Sequence, residues 1–225
     1  PKLLATRGYG ADVILEGPTV DTSLRLAAEF AERTGAVLIP PFNHRDIIVG
    51  QGTLGLEVVQ DMPDVDTILL AIGGTVRIIG VQAENSAPYP ESLRAGYPIE
   101  VETRPTIADG ILVSRPGDIP FAMIQELVDD IVTVTDDDIA RAMLVLLERA
   151  KVVVEPAGAV GVAAILAGKV EAHGPTVSVL SGGNIDPLLL QRVVAHGLAA
   201  SGRYMSMRIP LPDRPGQLSR VSDLI

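Results

Sequence analysis

Three short runs have the residue types and spacing for small-molecule chemistry. Leu180-Ser181-Gly182-Gly183-Asn184 closes the β-branched run Thr176-Val177-Ser178-Val179. A strand that ends this way sets a hydroxyl and bare backbone at the carboxyl edge of a sheet, where α/β proteins bind ligands. Upstream, Gly73-Gly74 ends the apolar run Thr67-Ile68-Leu69-Leu70-Ala71-Ile72. Glycines there let backbone N–H groups approach a phosphate. Between the two, Glu155-Pro156-Ala157-Gly158-Ala159 opens an alanine-rich helix with a carboxylate at its start, where the helix dipole favours it. Each run alone has a plainer reading: a tight turn, a turn serine, a helix-start glutamate.

The elements that must position these runs alternate between strand and helix, which predicts a mostly parallel sheet. Strands are predicted over Ala11–Leu15, Val37–Ile39, Asp66–Ile72, Val76–Val81, Ile131–Val134 and Thr176–Val179. Helices are predicted from an Asp21 cap to Gly35, from Gly52 to about Asp61, over Pro90–Ala95, and from Asp118 to about Asp129. Phe121, Ile124 and Leu127 share one face of the last of these. Thr135 and Asp138 form a capping box for a helix to Ala150. Two more helices run over Pro156–Leu166, which reads as buried, and Leu188–Ala200. Pro98–Arg104 reads as extended.

One junction conflicts with this plan. The strand beginning at Val76 follows Gly73-Gly74 at once, whereas parallel neighbours need a crossover of a dozen or more residues. A hairpin at Gly-Gly is the alternative. The alternating pattern favours a crossover helix absent between Gly74 and Thr75.

The bulk numbers narrow the function classes. With 225 residues, 47% of them hydrophobic and 20% charged, the chain has an ordinary globular composition. A net charge of −10 with 3% aromatics lacks the basic footprint and the stacking groups of a nucleic-acid binder. Cysteine is absent, so no disulfide framework or thiolate metal site is expected, and a cytoplasmic location is. No membrane span or signal peptide is expected. His44, His173 and His196 lack metal-ligand spacing, so no metal is expected.

Taken together and in order, Gly50-Gln51-Gly52-Thr53, Gly73-Gly74, Glu155-Pro156-Ala157-Gly158 and Ser181-Gly182-Gly183-Asn184 resemble the serine/threonine dehydratase family. The resemblance covers about residues 1–200. It implies the fold-type II (tryptophan synthase β-like) αβα architecture and pyridoxal 5'-phosphate as cofactor. By resemblance, Gly73 and Gly74 contact the cofactor phosphate, Ser181 hydrogen-bonds the pyridine nitrogen, and Gly182 belongs to the same cofactor-binding turn. Glu155 lines the active site near the ring as a catalytic candidate, and Gly110 passes the cofactor with its backbone. Asp109 reads as a turn-former, and Gly50-Gln51-Gly52-Thr53 receives no chemical role. Some relatives bind a divalent cation after the Val76 strand, but the matching places here are Gln82, Ser86 and Pro88. None is a carboxylate, and Glu84 reads as solvated.

The implied reaction is β-elimination, converting L-threonine to 2-oxobutanoate and ammonia and L-serine to pyruvate. It needs a lysine that binds the cofactor. Lys2 sits in a segment that resembles a later family helix, and Lys151 and Lys169 read as surface charges, so that lysine is expected outside these 225 residues. Residues 203–225, with Pro212-Asp213-Arg214-Pro215-Gly216-Gln217-Leu218, resemble the opening of an ACT regulatory domain. That implies an amino-acid effector, isoleucine or valine, and a homodimer or homotetramer. A C-terminal arm packed on the main body is the plainer reading. Two other functions stay open: serine racemization on the same scaffold, and a non-catalytic amino-acid sensor that lost the lysine.

Overall fold

Four strands form a parallel sheet in the order β3-β2-β1-β4: β1 (Thr67–Leu69), β2 (Arg77–Ala83), β3 (Asp130–Val134) and β4 (Thr176–Ser178). The computed structural model describes residues 2–16, 20–69, 77–212 and 214–223. Thr67 pairs with Arg77 on one side and Thr176 on the other, and Gly80 pairs with Ile131. The parallel pairing of β1 and β2 overturns the hairpin alternative. Gly73 and Gly74 lie outside the described residues.

Residues two apart on a strand share a face, so the sheet has two sides. One carries Leu69, Ile79 and Ser178. Against it pack α6 (Asp136–Val145), α7 (Val160–Leu166) and α8 (Pro187–Ala200), and the main core gathers there, with Leu69, Ile79, Val134, Ile139, Ala140, Ala163, Ala164 and Val193 buried. Small residues on α6 and α7 let the helices approach closely, which is why the alanine-rich stretch is buried as predicted. The other side carries Gly80, Ile131 and Val179. Beside it lie α3 (Arg45–Asp61) and α5 (Asp118–Leu127). The remaining helices are α1 (Lys2–Gly8), α2 (Val20–Thr34), α4 (Pro88–Ala95) and α9 (Gln217–Ser222).

The capping box forms as its sequence predicts: the Thr135 hydroxyl accepts from the Asp138 N–H at 3.1 Å, and the Asp138 carboxylate accepts from the Thr135 N–H at 3.1 Å. The α-helix it starts ends at Val145, and a π-helical turn, Leu146–Ala150, carries the chain on to Lys151 in the left-handed region at φ 59°.

Several boundaries depart from the sequence reading. Residues 11–15 and 37–39 form no strand, and Val37 is 88% exposed. Their β-branched composition suits a strand, but a strand exists only through pairing, and no neighbour pairs with them among the described residues. Asp21 lies inside α2 rather than capping it. Helix α3 starts at Arg45, earlier than Gly52, because His44 caps it through Nδ1, which accepts from the Asp46 N–H. Residues 204–211 form no strand either, while the helical pattern after Gly216 appears as α9.

Candidate active site

The carboxyl ends of β1, β2 and β4 open onto a cavity of about 410 Å³ whose lining includes Leu69, Gln82, Gly110, Ala157 and Ser181. Two turns meet across it. The first is the 3-10 turn Pro156–Ala159, which Glu155 precedes in extended conformation and which leads directly into α7. The second is the loop that leaves β4 through Ser181 and Gly182. The Glu155 N–H donates to the Gly182 carbonyl at 3.0 Å, and the Gly158 N–H donates to the Glu155 carbonyl at 3.0 Å.

Glycine makes this approach possible. A Cβ on Gly158 would overlap the Ser181 carbonyl oxygen, and one on Gly182, at φ +75°, would overlap the Glu155 carboxylate. Gly110 completes the cluster from the 3-10 turn Asp109–Ile111. A Cβ there would stand 3.1 Å from Ala157 Cβ and 3.4 Å from Glu155 Oε1. So Ser181, Gly182, Glu155 and Gly110, which are far apart in sequence, converge. The Glu155 side chain makes no capping hydrogen bond to the turn it precedes.

The places matched to a cation site are occupied with structural work. Gln82 Oε1 accepts from the Tyr89 N–H at 3.1 Å, the buried Ser86 hydroxyl donates to the Val113 carbonyl at 3.0 Å, and Pro88 starts α4. Glu84 is exposed. Neither Lys151 nor Lys169 lines the cavity; Lys151 Nζ donates to the Glu148 carbonyl instead.

Tyr89 was not visible as a site residue in the sequence. It lines the same cavity, its ring stacked on Phe121 at 6.4 Å between centroids. Burial pushes its hydroxyl up to about 12, so it stays protonated at neutral pH. The only local signal was the run Pro88-Tyr89-Pro90, which marks a helix start but not its neighbours.

Ser181 and the Gly110 backbone line a cavity at the carboxyl edge of parallel strands, where α/β proteins bind ligands, and the Glu155 carboxylate stands beside Gly110. The family model for pyridoxal-phosphate dependent enzymes matches residues 1–182. The chain belongs to that family. An L-threonine ammonia-lyase from Thermotoga maritima is 43% identical over 241 positions, spanning 100% of this chain and 60% of its own length. Among solved structures, a T.th. threonine deaminase superimposes with a TM-score of 0.75 at 32% identity, covering 82% of this chain and 67% of its own. Maize serine racemase gives a TM-score of 0.75 at 30% identity, covering 89% and 68%. This chain thus spans about three fifths of the length of the curated relative it matches. Its α/β architecture is that of the fold-type II pyridoxal-phosphate enzymes.

Proposed function

We propose that the full-length protein is a threonine ammonia-lyase that converts L-threonine to 2-oxobutanoate and ammonia, and L-serine to pyruvate and ammonia. The observation that carries this reading is the approach of the Glu155 carboxylate to Gly182 and Gly110 beside a cavity that Gly110 and Ser181 line, joined to 43% identity with an ammonia-lyase.

The residues divide the work by chemistry. Ser181 would hold the pyridine nitrogen through its hydroxyl. Gly110 and Gly182 would offer bare backbone to the cofactor, and Gly73 and Gly74 would hold its phosphate. Glu155 would serve as the catalytic candidate. Tyr89, neutral at pH 7, closes the cavity wall and excludes water. The cofactor, when bound, supplies the electron sink that lets Cα lose its proton and the β-hydroxyl depart. A hydroxyl partner for the ring nitrogen, in place of a carboxylate, makes that sink weaker and favours prompt loss of the β leaving group. The lysine that binds the cofactor lies outside these 225 residues.

Residues 203–225 open an ACT-like regulatory domain that takes isoleucine or valine, and the protein works as a homodimer or homotetramer in the cytoplasm. Activity that stays flat across a titration of both amino acids would sink the effector assignment.

A visible absorption spectrum of full-length protein, before and after threonine, tests the main reading. A cofactor band that shifts with threonine while keto acid accumulates is the expected result. The likeness to maize serine racemase favours one other reaction, racemization, and D-serine appearing from L-serine would move the assignment there. A protein left colourless by added pyridoxal phosphate would instead be an amino-acid sensor without the lysine.

A further inference from the structure

Three consecutive carboxylates, Asp136, Asp137 and Asp138, fill the first turn of α6. The plain reading is one shared role, negative charge where the helix dipole favours it. Their contacts separate them. Asp138 closes the capping box with Thr135. Asp137 Oδ1 lies 2.5 Å from His196 Nε2 on α8. Asp136 reaches off its own helix to a loop 30 residues upstream. Its Oδ1 accepts from the Thr106 hydroxyl, and its Oδ2 accepts from the Ile107 N–H at 3.2 Å. The Thr106 oxygen accepts in turn from the Ala108 N–H at 3.2 Å. One carboxylate and one hydroxyl thus fix three successive residues.

Those residues lead straight into the candidate site. Ala108 is fully buried, and its carbonyl accepts from the Ile111 N–H at 3.1 Å, which closes the 3-10 turn Asp109–Ile111. Gly110, in the middle of that turn, lines the cavity and stands against Ala157 and the Glu155 carboxylate. The same loop is anchored from the end of β2. Asn85 Nδ2 donates to the Pro105 carbonyl at 3.0 Å, and the buried Ser86 hydroxyl donates to the Val113 carbonyl at 3.0 Å. Between these anchors the Asp136–Thr106 contact reaches towards Gly110 through Ala108. Helix α6 is a firm base for it, since Ile139, Ala140, Ala142 and Met143 are buried in the main core. A functional group is placed well when the residues behind it are themselves held by packing and hydrogen bonds.

We infer that Asp136 and Thr106 are positioning residues that set the Gly110 turn against Glu155 and so fix the shape of the cavity on that side. Neither lines the cavity, so they act through the turn. That the ligand is pyridoxal phosphate rests on the function proposed above; that the pair places the turn does not.

Variants of the full-length protein test this. Thr106→Val keeps the shape of the side chain but leaves Asp136 without one donor and the Ala108 N–H without its acceptor. Asp136→Ala removes the other partner, and Thr106→Ser restores the hydroxyl. Thr135→Ala is the control, because it weakens the same helix end and leaves the loop alone. Should Asp136→Ala not fold, Asp136→Asn, which can satisfy only one of the two donors, replaces it. The first measurement is amide hydrogen exchange of the cofactor-free protein. Ile111, Leu112 and, across the contact, Gly158 are expected to exchange faster in Thr106→Val and Asp136→Ala, with Thr106→Ser close to the unsubstituted protein and Thr135→Ala unchanged at these amides. Unchanged exchange in the first two, or an equal rise in the control, overturns the inference. The second is a fluorescence titration with pyridoxal phosphate. A hydrogen bond to a charged group is worth about tenfold in an equilibrium constant, so affinity should fall about tenfold in either single variant. The double variant should lose no more, since both changes break one contact, and the control should lose nothing. Additive losses, or unchanged affinity where the unsubstituted protein binds, overturn the inference. An unsubstituted protein that binds no pyridoxal phosphate sinks the proposed function instead, and the exchange result then decides the positioning role alone.

Discussion

Gly158 shows how a single hydrogen in place of a methyl shapes the candidate site. Its Cα faces the Ser181 carbonyl so closely that Gly158→Ala must displace the β4 loop. The expected outcome in full-length protein is loss of cofactor absorbance together with a lowered unfolding midpoint. Ser181→Ala is milder because the loop keeps its path. A neutral hydrogen bond contributes about 1 kcal/mol, so cofactor affinity should fall about fivefold in a fluorescence titration, with no change in unfolding of the cofactor-free protein. Unchanged affinity would remove Ser181 from the proposed site. Tyr89 is read through pH. Its folded-state value, raised by burial to about 12 from the ordinary 10.0, means the unfolded chain loses this proton first as pH rises. Its contribution to stability is therefore fully present below pH 10 and is lost as pH rises towards 12. Tyr89→Phe should flatten that alkaline decline in denaturation midpoints and remove the last-titrating tyrosinate absorbance. Ser181, Gly182 and Glu155 were conspicuous in the sequence because each ends or begins an element, where spacing carries information. Tyr89 was not, because its place comes from α4 and α5 packing ring on ring.

At the scale of elements, local chemistry was legible and pairing was not. The Thr135 and Asp138 signature gave the start of α6 to the residue, since a capping box is satisfied within four residues. Thr135→Ala should cost about 1 kcal/mol in denaturant unfolding, the usual worth of such a cap. An unchanged midpoint would mean that packing against α7 and α8 alone sets this end. At the far end, helical backbone runs to Ala150 as the sequence predicts, but its last five residues, Leu146–Ala150, are π-helical and the left-handed Lys151 follows them. There Glu148 holds Arg203 through two hydrogen bonds of 2.9 Å, a partner 55 residues away that no local pattern reveals. The hydrogen bond from Arg203 lowers the Glu148 carboxyl below its ordinary range. Residues 11–15 and 37–39 fail in the opposite way. Their propensity is right, but propensity does not provide a neighbouring strand.

For the whole molecule, the contrast is between the two ends of the Glu148–Arg203 contact. Up to Arg203 the chain is tied to α6 and α8, with the Arg203 N–H donating to the Leu198 carbonyl at 2.8 Å. Beyond it, residues 204–212 are exposed throughout, with Met205, Met207 and Ile209 at 73%, 54% and 45%, and no strand pairs with them among the described residues. Such a segment adds little to cooperative stability, since it buries little apolar surface against the rest. It does present an alternating apolar edge that other chains can use. Removing residues 204–225 should therefore leave the thermal midpoint of the remainder unchanged while reducing self-association in sedimentation velocity. A lowered midpoint would mean that the arm packs on the main body, the plainer reading of these residues. An unchanged midpoint with unchanged association would place the contacts between copies elsewhere, on the apolar stripe of α5 or its neighbours. The proposed regulatory role requires the first pattern: a segment energetically separate from the body that carries it and joined to it at Arg203, so that events in the arm reach the body through Glu148 and the π-helical turn that follows α6.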